Sequence, residues 1–122
     1  MKEIPECSDM ISDRVINKDG LEGTLDKVKY GLPFKESTFW DRVAILLHDL
    51  IVYHYFSDGN KRIGLIMTLV FLEKNVYNFK ATDDEKEMFC LEIAQDKKTH
   101  DEIIEWINAH VQKIENGIPE SN

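Results

Sequence analysis

The chain has little cysteine, no excess of positive charge and no long hydrophobic run, and each shortage removes a class of protein. Of its 122 residues only Cys7 and Cys90 carry thiols. They stand far apart with no ligand pattern around them, so reduced thiols in a cytoplasmic protein are expected rather than a disulfide or a zinc site. A formal charge of −8 and a pI near 4.9 make most of the surface repulsive to phosphate backbones and anionic lipid. That argues against a direct nucleic-acid or membrane role and leaves phosphate binding only as a local event. Residues 43–53 and 63–72 are each apolar for about 10 residues, well short of the roughly 20 a membrane span needs. The start, from Met1 to Glu6, has no basic region followed by an apolar run, so no secretory signal is expected. Internal repeats, low-complexity tracts and linkers are missing as well, and one domain over residues 1–122 is expected.

What is present is 43% hydrophobic and 31% charged, patterned for helices. Ser8 and Asp9 can cap a short helix reaching Asn17, broken by Lys18, Asp19 and Gly20. Leu21, Leu25 and Val28 recur at helical spacing and predict a helix over 21–29. Tyr30, Gly31, Leu32, Pro33, Phe34 and Lys35 mix turn formers with bulky residues and predict a loop or short extended hairpin, the one extended segment expected. Thr38 with Asp41 starts the next helix, which runs to about His54. A further helix is predicted from Asn60 to Lys74, with Asn75 suited to its end and residues 76–80 a connector. Thr82 with Glu85, and Thr99 with Glu102, have capping-box spacing and mark two more helix starts. The first should turn Met88, Leu91 and Ala94 inward, with Phe89 and Ile93 widening the stripe; the second should use Ile103, Ile104, Ile107 and Val111. The tail from Gly117 is expected to fray. The class predicted is all-α.

Between the two most apolar helices lies a polar loop: His54, Tyr55, Phe56, Ser57, Asp58, Gly59, Asn60, Lys61 and Arg62. Burying a histidine, a carboxylate and two cations together is expensive, and that cost calls for a function. Gly59 and Asn60 stand at a helix start, where unpaired backbone N–H groups favour an anion. Lys61 and Arg62 are placed against the helix dipole, a mismatch that a bound phosphate reverses. Asp58 can hold a hard cation such as Mg²⁺ bridging to phosphate oxygens. His54 is suited to take a proton from an attacking hydroxyl, since imidazoles titrate near neutral pH. Phe56 should point inward and pin the loop. A turn and an interior histidine are the structural alternatives, and the concentration of these residue types in one segment favours chemistry. His48 and Asp49 form the dyad of HD-type metal phosphohydrolases, but no histidine precedes His48, so a packed or helix-bonded His48 is the expected reading. His100 and His110 read as surface or structural residues.

Residues 54–62 resemble the signature of the Fic/Doc family in its death-on-curing (Doc) branch. The likeness continues through Gly20, Leu21 and Glu22, through Ala44, Ile45, Leu46, Leu47 and His48, and through Phe71, Leu72, Glu73, Lys74 and Asn75, covering roughly 20–111 and not the first nineteen residues. The resemblance implies a compact Fic-type helical domain with a central helix-loop-helix active site and a short extended flap. Its activity would be ATP- and Mg²⁺-dependent modification of a target-protein hydroxyl, with the translation machinery the expected target class. It makes His54 the general base, Asp58 the metal ligand, Gly59 and Asn60 the phosphate cradle and Arg62 the holder of a terminal phosphate. Tyr30 to Lys35 then match the flap that aligns a target segment.

Tyr55 replaces a frequent proline, which should loosen the loop entrance, and Val76 stands where the family often has glycine. Lys61 occupies the place of a second glycine in adenylylating members, and in Doc-like relatives that change goes with phosphoryl transfer. An adenylyltransferase and an inactive nucleotide- or protein-binding module of the same fold are the alternatives. The family's self-inhibitory motif is missing: Lys18 precedes Glu22–Gly23, and Val111 precedes Glu115–Asn116, where a Ser or Thr is required. An antitoxin protein supplied in trans is therefore the expected partner.

Overall fold

The computed structural model describes residues 14–32, 36–115 and 118–119. Its elements, in chain order, are helices α1 (Lys18–Tyr30), α2 (Phe39–Val52) and α3 (Asn60–Lys74), strand β1 (Tyr77–Phe79), helices α4 (Asp83–Ala94) and α5 (His100–His110), and strands β2 (Val111–Glu115) and β3 (Ile118–Pro119). The class is all-α, with one small sheet at the edge. Among the described residues no helix is long and apolar enough to cross a membrane.

The helix starts are set by local chemistry. Thr38, Thr82 and Thr99 each accept a backbone N–H three residues on, and Asp41, Glu85 and Glu102 reciprocate, so three complete capping boxes form. α1 starts earlier than its apolar spacing predicts: Asn17 Oδ1 accepts from Gly20 N–H, and Lys18, Asp19 and Gly20 form the first turn instead of a break. The expected helix reaching Asn17 is not seen over 14–17, and Ser8 and Asp9 lie outside the described residues.

α2 is the axis of the molecule, packing against α1, α3, α4 and α5. Val43, Ala44, Ile45, Leu46, Leu47, Leu50 and Ile51 are all buried, so one helix serves two apolar clusters. On one side α2 meets Leu72, Phe89, Ile93, Ile103 and Ile107; on the other it meets Val28, Tyr55, Phe56 and Ile63. α3 comes close enough that a Cβ on Gly64 would stand 3.0 Å from Ile51 Cγ1 and 3.3 Å from Leu50 Cβ.

The inward face of α4 differs from the predicted stripe. Phe89, Cys90 and Ile93 are buried, whereas Met88 is 59% and Leu91 39% exposed, and Ala94 is exposed too. The cause is tertiary: Phe89 stacks on Trp106 of α5 at 4.0 Å and 5°, and that contact sets the rotation of the helix. The predicted connector after α3 is a strand. β1 pairs antiparallel with β2, with Tyr77 opposite Lys113 and Phe79 opposite Val111, which takes Val111 out of α5. Ile118 and Pro119 pair with Glu115 and Ile114, so this part of the tail is ordered by the sheet rather than frayed. Val76, just beyond α3, has φ 63°, a left-handed conformation that is costly for a β-branched residue and easy for glycine.

Candidate active site

α2 ends at Val52, with Tyr53 N–H bonded to Asp49 O at 3.1 Å. His54 follows at φ 51°, the left-handed position beyond a helix end where glycine is usual. A non-glycine residue held there costs on the order of 1 kcal/mol, and such strain is typical of functional sites. The turn projects His54 to the surface while the next two residues dive inward, Tyr55 at 5% and Phe56 at 1% exposure.

Residues 14–17 strap the loop from outside. Tyr55 O accepts from Ile16 N at 2.8 Å and Asn17 N at 3.2 Å, and Ser57 N donates to Arg14 O at 2.7 Å. Tyr55 also reaches into a buried polar cluster. Thr24 Oγ1 donates to Asp49 Oδ2 at 3.1 Å, which leaves the Tyr55 hydroxyl as donor in its 2.6 Å bond to Thr24. Tyr55 therefore ties the loop to α1 and α2, the opposite of the loosening its replacement of proline predicts. Burial raises the Tyr55 pKa.

Asn60 clamps the loop from inside. Its Oδ1 accepts from Phe56 N at 3.2 Å and its Nδ2 donates to Phe56 O at 3.1 Å, with His54 Nδ1 3.4 Å from the same Nδ2. The Asn60 side chain is thus committed to the loop, and what it can offer an anion is its backbone N–H. Gly59, at φ 70°, makes the sharp entry into α3 and supplies no side-chain cap. The other four described helices have a capping side chain; α3 presents its first N–H groups uncapped, with Lys61 and Arg62 exposed in the first turn. That is an arrangement suited to phosphate.

His54, Asp58, Gly59, Asn60, Lys61 and Arg62 share one open cleft of about 850 Å³. Asp58 is 74% exposed and pairs with Arg14 at 3.2 Å. Phe56 lies beneath the loop in the core, not in the cleft. Tyr30 ends α1, 70% exposed, and Leu32 N donates to Ser37 Oγ at 3.2 Å. Neither they nor Gly31 line the cleft, and Pro33, Phe34 and Lys35 lie outside the described residues.

The far wall of the cleft was not foreseen. It comes from α4, through Asp83, Lys86, Glu87, Cys90 and Ala94, with Ser57, Ile51 and Leu65 completing the lining. No local signal could have shown these residues, because α4 reaches the loop only through its packing on α2 and α3. Burial pushes the Cys90 thiol up to about 11, against the pull of Lys61 and Lys86, so it is a neutral wall group and not a nucleophile.

The His48 side chain packs against its neighbour as expected, with Nδ1 2.8 Å from Asp49 Oδ1. His100 joins them from a distant segment that no local pattern connects, its ring 4.5 Å from that of His48. His110 is structural: its Nδ1 is 2.7 Å from Trp106 O, and its Nε2 is 3.7 Å from Glu85.

A family model described as the Fic/DOC family matches residues 12–72, half of the chain, through the strap and the loop and into the last turn of α3. The match begins earlier than the resemblance read from the motifs and stops short of α4 and α5. A search of curated proteins finds no match.

Proposed function

The chain belongs to the Fic/DOC family, and from this premise we propose that it is a Doc-like transferase that uses Mg-ATP to phosphorylate a hydroxyl on a target protein. The observation that carries the reading is the placing of His54 in the same cleft as the uncapped start of α3 and its two cations. His54 takes the proton of the target hydroxyl, and the oxygen attacks the γ-phosphorus in line. The bond to the β–γ bridging oxygen breaks and ADP leaves. The backbone N–H groups of Asn60 and Lys61 and the Arg62 guanidinium hold phosphate oxygens. Asp58, an exposed carboxylate with Arg14 on one oxygen, has its other oxygen for Mg²⁺, which when bound neutralises phosphate charge.

Lys61 supports phosphoryl over adenylyl transfer. It lines the cleft where adenylylating relatives have glycine, so its bulk and charge crowd a β,γ-phosphate cradle and favour the pose with the γ-phosphate at the reaction centre. The missing self-inhibitory serine or threonine supports restraint by an antitoxin in trans, and a component of the translation machinery in the cytoplasm is the target class this reading favours.

The test is incubation of the purified protein and a host lysate with ATP labelled at either the α- or the γ-phosphate. Label from γ alone, on a protein, is expected. Label from α would establish adenylylation and overturn the orientation argument, and no label from either would leave a binding module.

A further inference from the structure

Outside the cleft, His48, Asp49 and His100 bring two imidazoles and a carboxylate together, with one ligand atom from each within 4.8 Å of the others. The geometry points to a binding site for one divalent transition-metal ion of the zinc type, bridging the last turns of α2 and the first residue of α5.

Three features carry it. The first is the ligand set. Two imidazoles and one carboxylate suit Zn²⁺ and its neighbours, whereas Mg²⁺ and Ca²⁺ prefer an all-oxygen shell. The second is preorganisation. Asp49 is 4% exposed, and its Oδ2 is already held by Thr24 at 3.1 Å and faced by Lys27 Nζ at 3.9 Å. Oδ1 is turned to His48 Nδ1 at 2.8 Å, close to the spacing of two ligands on one ion. The third is access. His48 is largely buried, whereas His100, the first residue of α5, is exposed with its ring 4.5 Å from that of His48. Metal bonds of about 2.0–2.2 Å place ligand atoms roughly 3 Å apart, so closure asks for a movement of about 1–2 Å. Three protein ligands leave a fourth position for water.

The site has a structural consequence. Asp49 O accepts from Tyr53 N, and the Tyr53 ring lies edge-on to His48 at 5.8 Å, one residue before His54. An ion there fastens α5 to the end of the helix that presents the candidate base.

The test uses the full chain without an affinity tag, stripped with chelator and kept in excess Mg²⁺ so that oxygen-only sites are filled. It is titrated with Co²⁺ by visible absorption and with Zn²⁺ by equilibrium dialysis and thermal melting. One Co²⁺ per chain with d–d bands, displaced by Zn²⁺, is expected, and Zn²⁺ should raise the melting temperature. His100→Ala, at an exposed position, should keep the metal-free melting temperature and lose the spectrum and the Zn²⁺ shift. Asp49→Asn should weaken binding by about 10–100-fold or more. Failure of the wild-type chain to bind stoichiometrically, or binding by His100→Ala as tight as wild type, would overturn the assignment.

Discussion

Arg14 Nη1 lies 3.2 Å from Asp58 Oδ1, so the carboxylate proposed to hold Mg²⁺ already has a cation from the strap. The pair is substantially exposed, and such pairs contribute about 0–1 kcal/mol. On the proposed reading Mg²⁺ takes the other Asp58 oxygen, and Arg14 is a weak competitor for the same negative charge. Arg14→Gln should therefore tighten Mg-nucleotide binding by up to about 5-fold at low salt, less at high salt. Calorimetric titration with Mg-ATP checks it; weaker binding would show that Arg14 itself contacts the nucleotide.

His54 has an exposed side chain on a left-handed backbone, and asparagine tolerates that backbone better than most residues do. His54→Asn should lower transfer by about 10²–10⁴-fold with nucleotide affinity and unfolding midpoint close to wild type. Single-turnover rates measured beside denaturation curves separate the two effects. Full activity in the variant would place the base elsewhere.

Val76 adopts φ 63° and is 45% exposed, so it carries backbone strain and returns little burial. Val76→Gly should stabilise the protein by about 1 kcal/mol, the strain relieved being offset in part by the extra freedom of glycine in the unfolded chain. Urea denaturation measures it. A loss of stability would mean that Val76 side-chain packing outweighs the strain.

Glu85 and Glu102 have carboxyl pKa values held below their ordinary 4.5, first by the backbone N–H groups of Thr82 and Thr99 and then by the threonine hydroxyls. A depressed folded-state pKa contributes stability above the unfolded value, and that contribution is lost as pH falls through the folded value. The starts of α4 and α5 should weaken below about pH 4.5. Glu85→Gln with Glu102→Gln should lower stability near neutrality, where the carboxylates contribute, and approach wild type at low pH, so that the acid side of the profile flattens. An acid limb as steep as wild type would assign acid unfolding to other carboxylates.

Much of the helical frame was legible because its signals are local. A capping box joins residues three apart, so Thr38, Thr82 and Thr99 announced their helices without any knowledge of the fold. The polar segment from His54 to Arg62 was legible for a related reason: its residues are consecutive, and the family match that includes them stops at Leu72. The helix start at Asn17 is not legible locally, because Gly20 reads as a breaker in the absence of the cap that overrides it.

The sequence by itself thus determined the all-α class, the boundaries of its capped helices and the chemical content of the loop, since each depends on contacts a few residues long. The tertiary structure decided what long-range packing decides. The Phe89–Trp106 stack chose which face of α4 is buried, and so which residues wall the cleft. Backbone pairing made strands of Tyr77–Phe79 and Val111–Glu115 and clasped residues 14–17 across Tyr55 and Ser57. Docking of α5 on α2 brought His100 to His48 and Asp49 across a sequence gap that no periodicity spans, because contact between distant segments is settled by burial of their shared apolar faces and not by the pattern within either one.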